Sequence, residues 1–456
     1  MTAEPPRRAA RPEAAYLGRP DSAAIEAPCV LASERPSHRG WREPFRQTLL
    51  VIRSRGALAC GAVVLALVAA CVACAWPEDS PLSPGLAGSL TGNRTWAWIY
   101  LGCSATAFAA YALGLRFLAG RGARLAAVGA VAVAIQLAPL AGPLLISSDA
   151  WTYWDYGRIA AVDGGNPYRD TPDDVAEEAA YPWVGAGWRD TTSVYGPAFM
   201  LASEPIGLAA GRSHDAAAWI YKSLAALFVL LSAWLASRLS ARPAFAAAFV
   251  GWNPLLALHF AGGGHNDAWM AALVLVALGL AASGRRQLAG AAWALAVFVK
   301  WIPLVFLPLR LLEARAAGRR LSYLGFAVTG AAVASLATWR YGTAWLGAFG
   351  PLARNANKET RFALPHRLGE LGVPSWLAIT LFAVAFALAY LWLAREAWRG
   401  RARLGLAAAL LLLAVPYLAA WYLVWTVPLA AAEDDRTAQW LALGLTAYLL
   451  RQAVPI

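Results

Sequence analysis

From residue 57 to the carboxyl terminus, apolar runs of about 20 residues, enough to cross a bilayer, alternate with polar turns rich in arginine, proline and glycine. Uninterrupted runs predict helical spans near 57–76, 94–119, 124–146, 216–238, 243–260, 266–283, 321–341, 374–394 and 437–455. Two further runs, LAGAAWALAVFVKWIPLVFLPLRLL (288–312) and LGLAAALLLLAVPYLAAWYLVWTVPLA (404–430), are close to a single span in length yet have arginines beyond both ends. Keeping those arginines on one side requires each run to enter and leave as two short helices, turning near Pro303 and Pro416. Broken helices are tolerated at membrane depth where the break lines a polar cavity.

The segment 194–211 decides the topology. Read as a span, it would put Arg238 and Arg242 outside and the GGGHND turn on the cytoplasmic face, against the charge rule. Read as an interfacial or re-entrant segment broken by Pro197, Pro205 and Gly207, it leaves every cluster on one side: 238/242, 285/286, 315/319/320 and 395/399/401/403. The second reading predicts an all-α, polytopic transmembrane protein with about thirteen crossings, the amino terminus inside and the carboxyl terminus outside. Residues 1–45, without apolar periodicity, read as a disordered cytoplasmic tail. Two leading helices follow (46–123), then a membrane module (124–394) with external loops 147–215 and 342–373, then carboxyl-terminal helices (395–456).

Composition agrees. With 59% hydrophobic and only 14% charged residues, the 456-residue chain is too apolar for a soluble fold. Lys222, Lys300 and Lys358 are the only lysines, so the net charge of +12 is nearly all arginine, clustered between spans, a pattern that orients helices and does not advertise nucleic-acid binding. Four of the five cysteines lie in the first two apolar segments, with no disulfide framework or zinc spacing.

Candidate chemistry gathers in SSDAWTYWDYGRIAAVDGGNPY (147–168), where Asp149, Asp155, Arg158 and Asp163 stand among five aromatic residues. Carboxylates are cheap to hold at a membrane surface, so it is the density of acid, base, Tyr153 and tryptophan that suggests a ligand site. The topology brings Asp149, Tyr195, the GGGHND turn (262–267), Lys300 and the PYLAAWYLVW turn to the external ends of their helices. The external loop 342–370 adds Arg354, Lys358, Arg361, His366 and Arg367, where an anionic group such as a lipid phosphate is expected. Each feature also has a plainer reading. Asp149 and Asp267 suit helix caps, Lys300 and Lys222 suit snorkelling, the aromatics suit an interfacial belt, and the basic loop suits anionic headgroups.

These motifs, in order SSDAWTYWDYGR, GGNPY, VYGP, NPLLALHFAGGGHNDAWM, VKWIPLVFLPL and PYLAAWYLVWTVPL, resemble the bacterial polyprenol-phosphate-mannose-dependent α-mannosyltransferases of the GT-C superfamily, in the branch that extends lipoglycan mannan cores. The resemblance covers about residues 124–430. It implies a membrane-embedded inverting transferase with a GT-C-like fold, a polyprenyl phosphate sugar donor and a glycan or lipoglycan acceptor, with an α-(1→6) linkage within its range. It further implies Asp149 as catalytic base, His265, Asn266 and Asp267 as the family's GHND turn, Lys300 as the lysine before the proline-rich half-helix, and Trp421, Tyr422 and Trp425 as its aromatic turn. Asp155 is an acid where such enzymes often carry a less charged helix.

The residue types suit that chemistry. Displacement at an anomeric carbon needs one carboxylate to take the acceptor's proton, and a departing phosphate needs cations and hydrogen-bond donors. Phosphate as leaving group removes the need for the second carboxylate of a retaining glycosidase. Lys300, His265, Arg354 and Arg361 are expected to hold the phosphate; Tyr153, Tyr195, Asn266, Asp267, Trp421, Tyr422 and Trp425 the sugar and first isoprenes; Asp155 and Arg158 the acceptor. No cofactor is required; Asp149, Asp155 and Asp163 leave a divalent metal open, without a dedicated ligand spacing. A secondary transporter is the reading from another class, against which stands the absence of matching half-repeats; a non-catalytic lipid-binding scaffold is a third.

Overall fold

The computed structural model describes residues 42–456 except 121–122, 320–322 and 357. The tail expected over 1–45 therefore lies outside the described residues, save that 42–45 open the first helix. Every regular element described is helical. In order they are α1 (Arg42–Ala73), α2 (Arg94–Leu118), α3 (Leu125–Leu137), the short α4 (Asp149–Ala161) and α5 (Pro197–Ala210), then α6 (His214–Leu239), α7 (Pro243–Gly251) and α8 (Pro254–Phe260). Next come α9 (Asp267–Ala282), α10 (Arg286–Val299), α11 (Pro303–Ala316), α12 (Tyr323–Tyr341), α13 (Phe349–Ala356), α14 (Leu364–Glu370), α15 (Ser375–Trp398), α16 (Leu404–Ala414), α17 (Val427–Ala432) and α18 (Arg436–Leu449).

Among the described residues four helices are long and apolar enough to cross a membrane alone, Ser54–Ala73, α2, α6 and α15, and the α7–α8 pair, bent by 49°, makes a fifth if taken as one span. Asn253 sets that bend. Its side chain accepts from the backbone of Leu255 and Leu256, starting a new helix at Pro254, which has no N–H to continue the old one. Other apolar helices have 10–17 residues, so the crossings expected near 266–283, 288–312 and 404–430 are made of pieces shorter than a full span.

Both expected reversals are present. Arg286, at the start of α10, and Arg310 and Arg319, towards and beyond the end of α11, line one cavity, whereas the Lys300–Ile302 turn between them lines another. The far ends of α16 and α17 meet through Glu433, which accepts from the backbone of Leu404 at 2.7 Å and Gly405 at 2.9 Å. A side chain at 405 would place its Cβ 2.6 Å from the Ala430 nitrogen, so this contact requires glycine. Ion pairs close the same end: Arg242 to Asp434 at 3.0 Å and Arg403 to Asp435 at 2.6 Å.

Helix α5 is tied at both ends. Gly196 N donates to Val299 O at 3.2 Å beside the Lys300 turn, and Gly211 O accepts from Arg158 of α4 at 2.6 Å. It packs so closely on α4 that a Cβ at Gly157 would stand 2.3 Å from Ser203 O. The start of α6 lies against the Asp149 end of α4, where Trp151 Nε1 donates to His214 O at 2.9 Å. Lys222 departs from expectation. It does not snorkel but is buried, its Nζ donating to the carbonyls of Gly142 at 2.6 Å and Pro143 at 3.0 Å where α3 has ended and left them unpaired.

Candidate active site

Four separate turns meet at one cavity of about 290 Å³, lined by Asp149, Tyr153, Tyr195, Lys300, Trp421, Tyr422 and Trp425 together with Trp188, Trp301 and Tyr417. Asp149 is the first residue of α4, and its backbone N–H donates to Ser147 Oγ at 3.2 Å. The GGGHND turn between α8 and α9 lies wholly buried behind it, tied to the segment before α4 by Leu145 N donating to Gly262 O at 3.0 Å.

That turn carries His265 to Asp149. The imidazole Nδ1 is 3.1 Å from Asp149 Oδ2, and the ring stacks on Trp421 at 3.9 Å with planes 11° apart. Tyr153 hydroxyl approaches the same carboxylate oxygen at 3.4 Å. Burial acts to raise the Asp149 pKa. The His265 hydrogen bond and charge, Ser147 and the Lys300 charge outweigh it, and the carboxyl lies below its ordinary value. Asp149 is therefore ionised at neutral pH, with 16% of its side chain open to the cavity.

Lys300 projects from the extended break between α10 and α11. Its Nζ is 2.7 Å from Asp267 Oδ1 and 3.5 Å from Asn266 Oδ1, and it faces the rings of Tyr422 at 5.4 Å and Tyr195 at 5.9 Å. Asp267 Oδ1 also accepts from Trp425 Nε1 at 2.7 Å, and Trp425 stacks on Tyr422 at 4.1 Å. Asp267 thus joins the two hairpin turns and makes no capping hydrogen bond, although its position in the first turn of α9 suited one.

Other expected residues fall elsewhere. His265 is wholly buried behind Asp149 and away from the cavity wall, which suits it to orient the carboxylate. Asp155, six positions along α4, points to another side; it is wholly buried, with both carboxyl oxygens unpartnered in the described structure. Burial, with Glu178 and Asp163 adding repulsion, pushes its pKa up to about 8. Arg158 does not pair with Asp155 but forms a two-point ion pair with Glu178, one leg at 3.1 Å. Arg354 and Arg361 are exposed and do not line the cavity, and Arg367 is taken up by Glu370 at 2.7 Å. Lys358 lies closer, with its Nζ 5.9 Å from the Trp188 ring on the cavity wall.

The sequence reading missed Trp188, Trp301 and Tyr417 as wall residues. Trp301 and Tyr417 lie inside motifs already singled out (VKWIP, PYLAAWYLVW) and Trp188 in the external loop 147–215, but the general aromatic excess hid them. Among the described residues no three His, Cys, Asp or Glu side chains are grouped to hold a metal.

A polytopic helical membrane protein whose broken helices present a carboxylate and an ammonium to one aromatic cavity is the class this architecture defines. A family model described as alpha-(1→6)-mannopyranosyltransferase, N-terminal domain, matches residues 55–318, more than half of the chain, and the chain belongs to that family. It is 30% identical over 173 residues to alpha-(1→6)-mannopyranosyltransferase A of Corynebacterium glutamicum, a match covering 36% of this chain and 34%, about a third, of that relative's length. It is 27% identical over 382 residues to alpha-(1→6)-mannopyranosyltransferase A of Mycobacterium tuberculosis, covering 74% of this chain and 71% of the relative. No solved structure matches.

Proposed function

We propose that the protein is a membrane-embedded inverting mannosyltransferase that moves mannose from a polyprenyl phosphate to a glycan or lipoglycan acceptor on the external face, forming an α-(1→6) linkage as the names of its relatives indicate. The observation that carries this reading is the convergence of Asp149 and Lys300 on one cavity beneath two hairpin turns. In the proposed reaction the acceptor hydroxyl gives its proton to Asp149 as its oxygen attacks the anomeric carbon, and the bond from that carbon to the phosphate oxygen breaks on the opposite face. An inverting step that yields an α-linkage needs a β-linked donor.

The leaving polyprenyl phosphate keeps the electron pair, and Lys300 supports the charge that collects on it. His265 donates from Nδ1 to Asp149 and holds the carboxylate towards the acceptor, a direction assigned from the partner it faces. Tyrosine and tryptophan faces suit the sugar and the first isoprenes. In the same reading the arginine-rich end faces the cytoplasm and the Asp149 end the exterior, over about thirteen crossings.

The test is incubation of the purified full chain with polyprenyl phosphate sugars and oligomannose acceptors, followed by mass analysis. Mannose transfer from the lipid donor, and none from nucleotide sugars, is expected. A folded protein that transfers from neither overturns the reading.

A further inference from the structure

A second cavity, of about 190 Å³, lies at the far end of α10 and α11. Helix α10 separates it from the first. Arg286 stands at its start and Lys300 just past its end, about 21 Å apart at the helical rise of 1.5 Å per residue. The walls are apolar, from Trp293, Leu307, Ala314 and Phe326, and Arg286, Arg310 and Arg319 contribute the positive charge.

Arg242 and Arg403 are bound by Asp434 and Asp435, whereas Arg286 and Arg319 have no carboxylate partner among the described residues, and only Arg310 is paired, with Glu313. Arg310 also feels the charge of Arg319, opposed by that of Glu433. Two uncompensated cations beside a third, over an apolar slot between helices, match a ligand with an acidic head and a hydrocarbon tail.

We propose that this cavity is a binding site for one anionic phospholipid, in the leaflet opposite the one that faces Asp149. The headgroup phosphate sits between Arg286 and Arg319, and an acyl chain lies against Trp293 and Leu307. The site stands apart from the transferase reading, since it shares no residue with the Asp149 cavity.

The experiment is native mass spectrometry of the full chain in neutral detergent, titrated with phosphatidylglycerol or phosphatidylcholine. Expected is one phosphatidylglycerol retained at least about tenfold more tightly than phosphatidylcholine, and loss of that preference in Arg286→Gln/Arg319→Gln. Arg399→Gln, an exposed arginine outside the cavity, should leave the preference intact. Equal retention of the two lipids by the unmodified chain, or an unchanged preference in the double variant, overturns the proposal. So does an equal loss in Arg399→Gln, which would reduce the effect to general surface charge, or displacement of the lipid by millimolar glycerol phosphate.

Discussion

His265 Nδ1 lies 3.1 Å from Asp149 Oδ2, and the histidine is wholly buried while the carboxylate opens to the cavity. The ring has little freedom, because Trp421 covers one face at 3.9 Å. This makes His265 a positioning residue. It acts on the substrate only through Asp149, and its removal should disturb the orientation of the base more than the binding of donor.

His265→Ala should therefore lower kcat by on the order of 10², with little change in KM for the lipid donor. His265→Asn, whose amide can still donate towards Asp149, should recover part of the loss. Steady-state kinetics with both substrates varied checks this. A rise in donor KM with kcat preserved would return His265 to phosphate binding.

Lys300→Met should weaken donor use, raising KM and lowering kcat, because phosphate charge in a partly dry cavity loses its cation. The variant also strands Asp267, whose Oδ1 keeps only Trp425 Nε1, and an uncompensated buried carboxylate costs about 3–5 kcal/mol. Lys300→Met/Asp267→Asn should regain most of the lost thermal stability and none of the lost donor use. Melting curves and donor titrations on the same samples separate the two effects.

The helical class and the two reversals were legible from apolar run length and arginine placement, because insertion energetics act on those features directly. Asp149 and Lys300 were legible for the same reason: charges beside apolar runs need an explanation. What was hidden depends on pairing across the fold. The chain has aspartate and glutamate at many loop positions, and nothing in their spacing says that Glu178 takes Arg158, that Asp267 takes Lys300, or that the carbonyls of Gly142 and Pro143 take Lys222. The position of Asp155 was hidden too, since a helix that packs on several sides has no solvent face on which to read an amphipathic period.

Sidedness can be measured with an impermeant maleimide. In a Cys29→Ser/Cys103→Ser background, Arg361→Cys at the Asp149 end should label in intact cells, and Arg399→Cys at the opposite end only after permeabilisation. Both native side chains are exposed, and Cys60, Cys71 and Cys74 are buried, which keeps background low. The reverse pattern would invert the proposed orientation.

Asp155 should make stability pH-dependent. Its folded pKa of about 8 lies above the unfolded value near 3.9, so the folded state holds a proton that the unfolded state has released. Its contribution to stability is full below pH 4, falls as pH rises towards 8, and is lowest beyond. Asp155→Asn, which cannot ionise, should melt close to the unmodified protein at pH 4 and several degrees above it at pH 8.5, while keeping measurable transfer. A melting difference that does not change with pH would mean that Asp155 is ionised or solvated in the folded protein.

Asp149→Asn should abolish transfer, by a factor of about 10² to 10⁴, and leave folding and donor binding nearly intact, since the amide keeps size and polarity but cannot take a proton. The pH profile should carry the same signature. The folded pKa of Asp149 is depressed, so its stabilising ionisation is complete above the ordinary carboxylate range and is lost only as pH falls through the lower folded value. In the free enzyme, the acid limb of kcat/KM should accordingly lie below the ordinary carboxylate range. Part of the depression comes from Lys300, and a bound donor phosphate would offset that charge, raising the carboxyl pKa and making it a better base at the moment of reaction. The acid limb of kcat should then lie at higher pH than that of kcat/KM. Full activity in Asp149→Asn, or loss of activity in Asp155→Asn alone, would move the base elsewhere on this helix or off it.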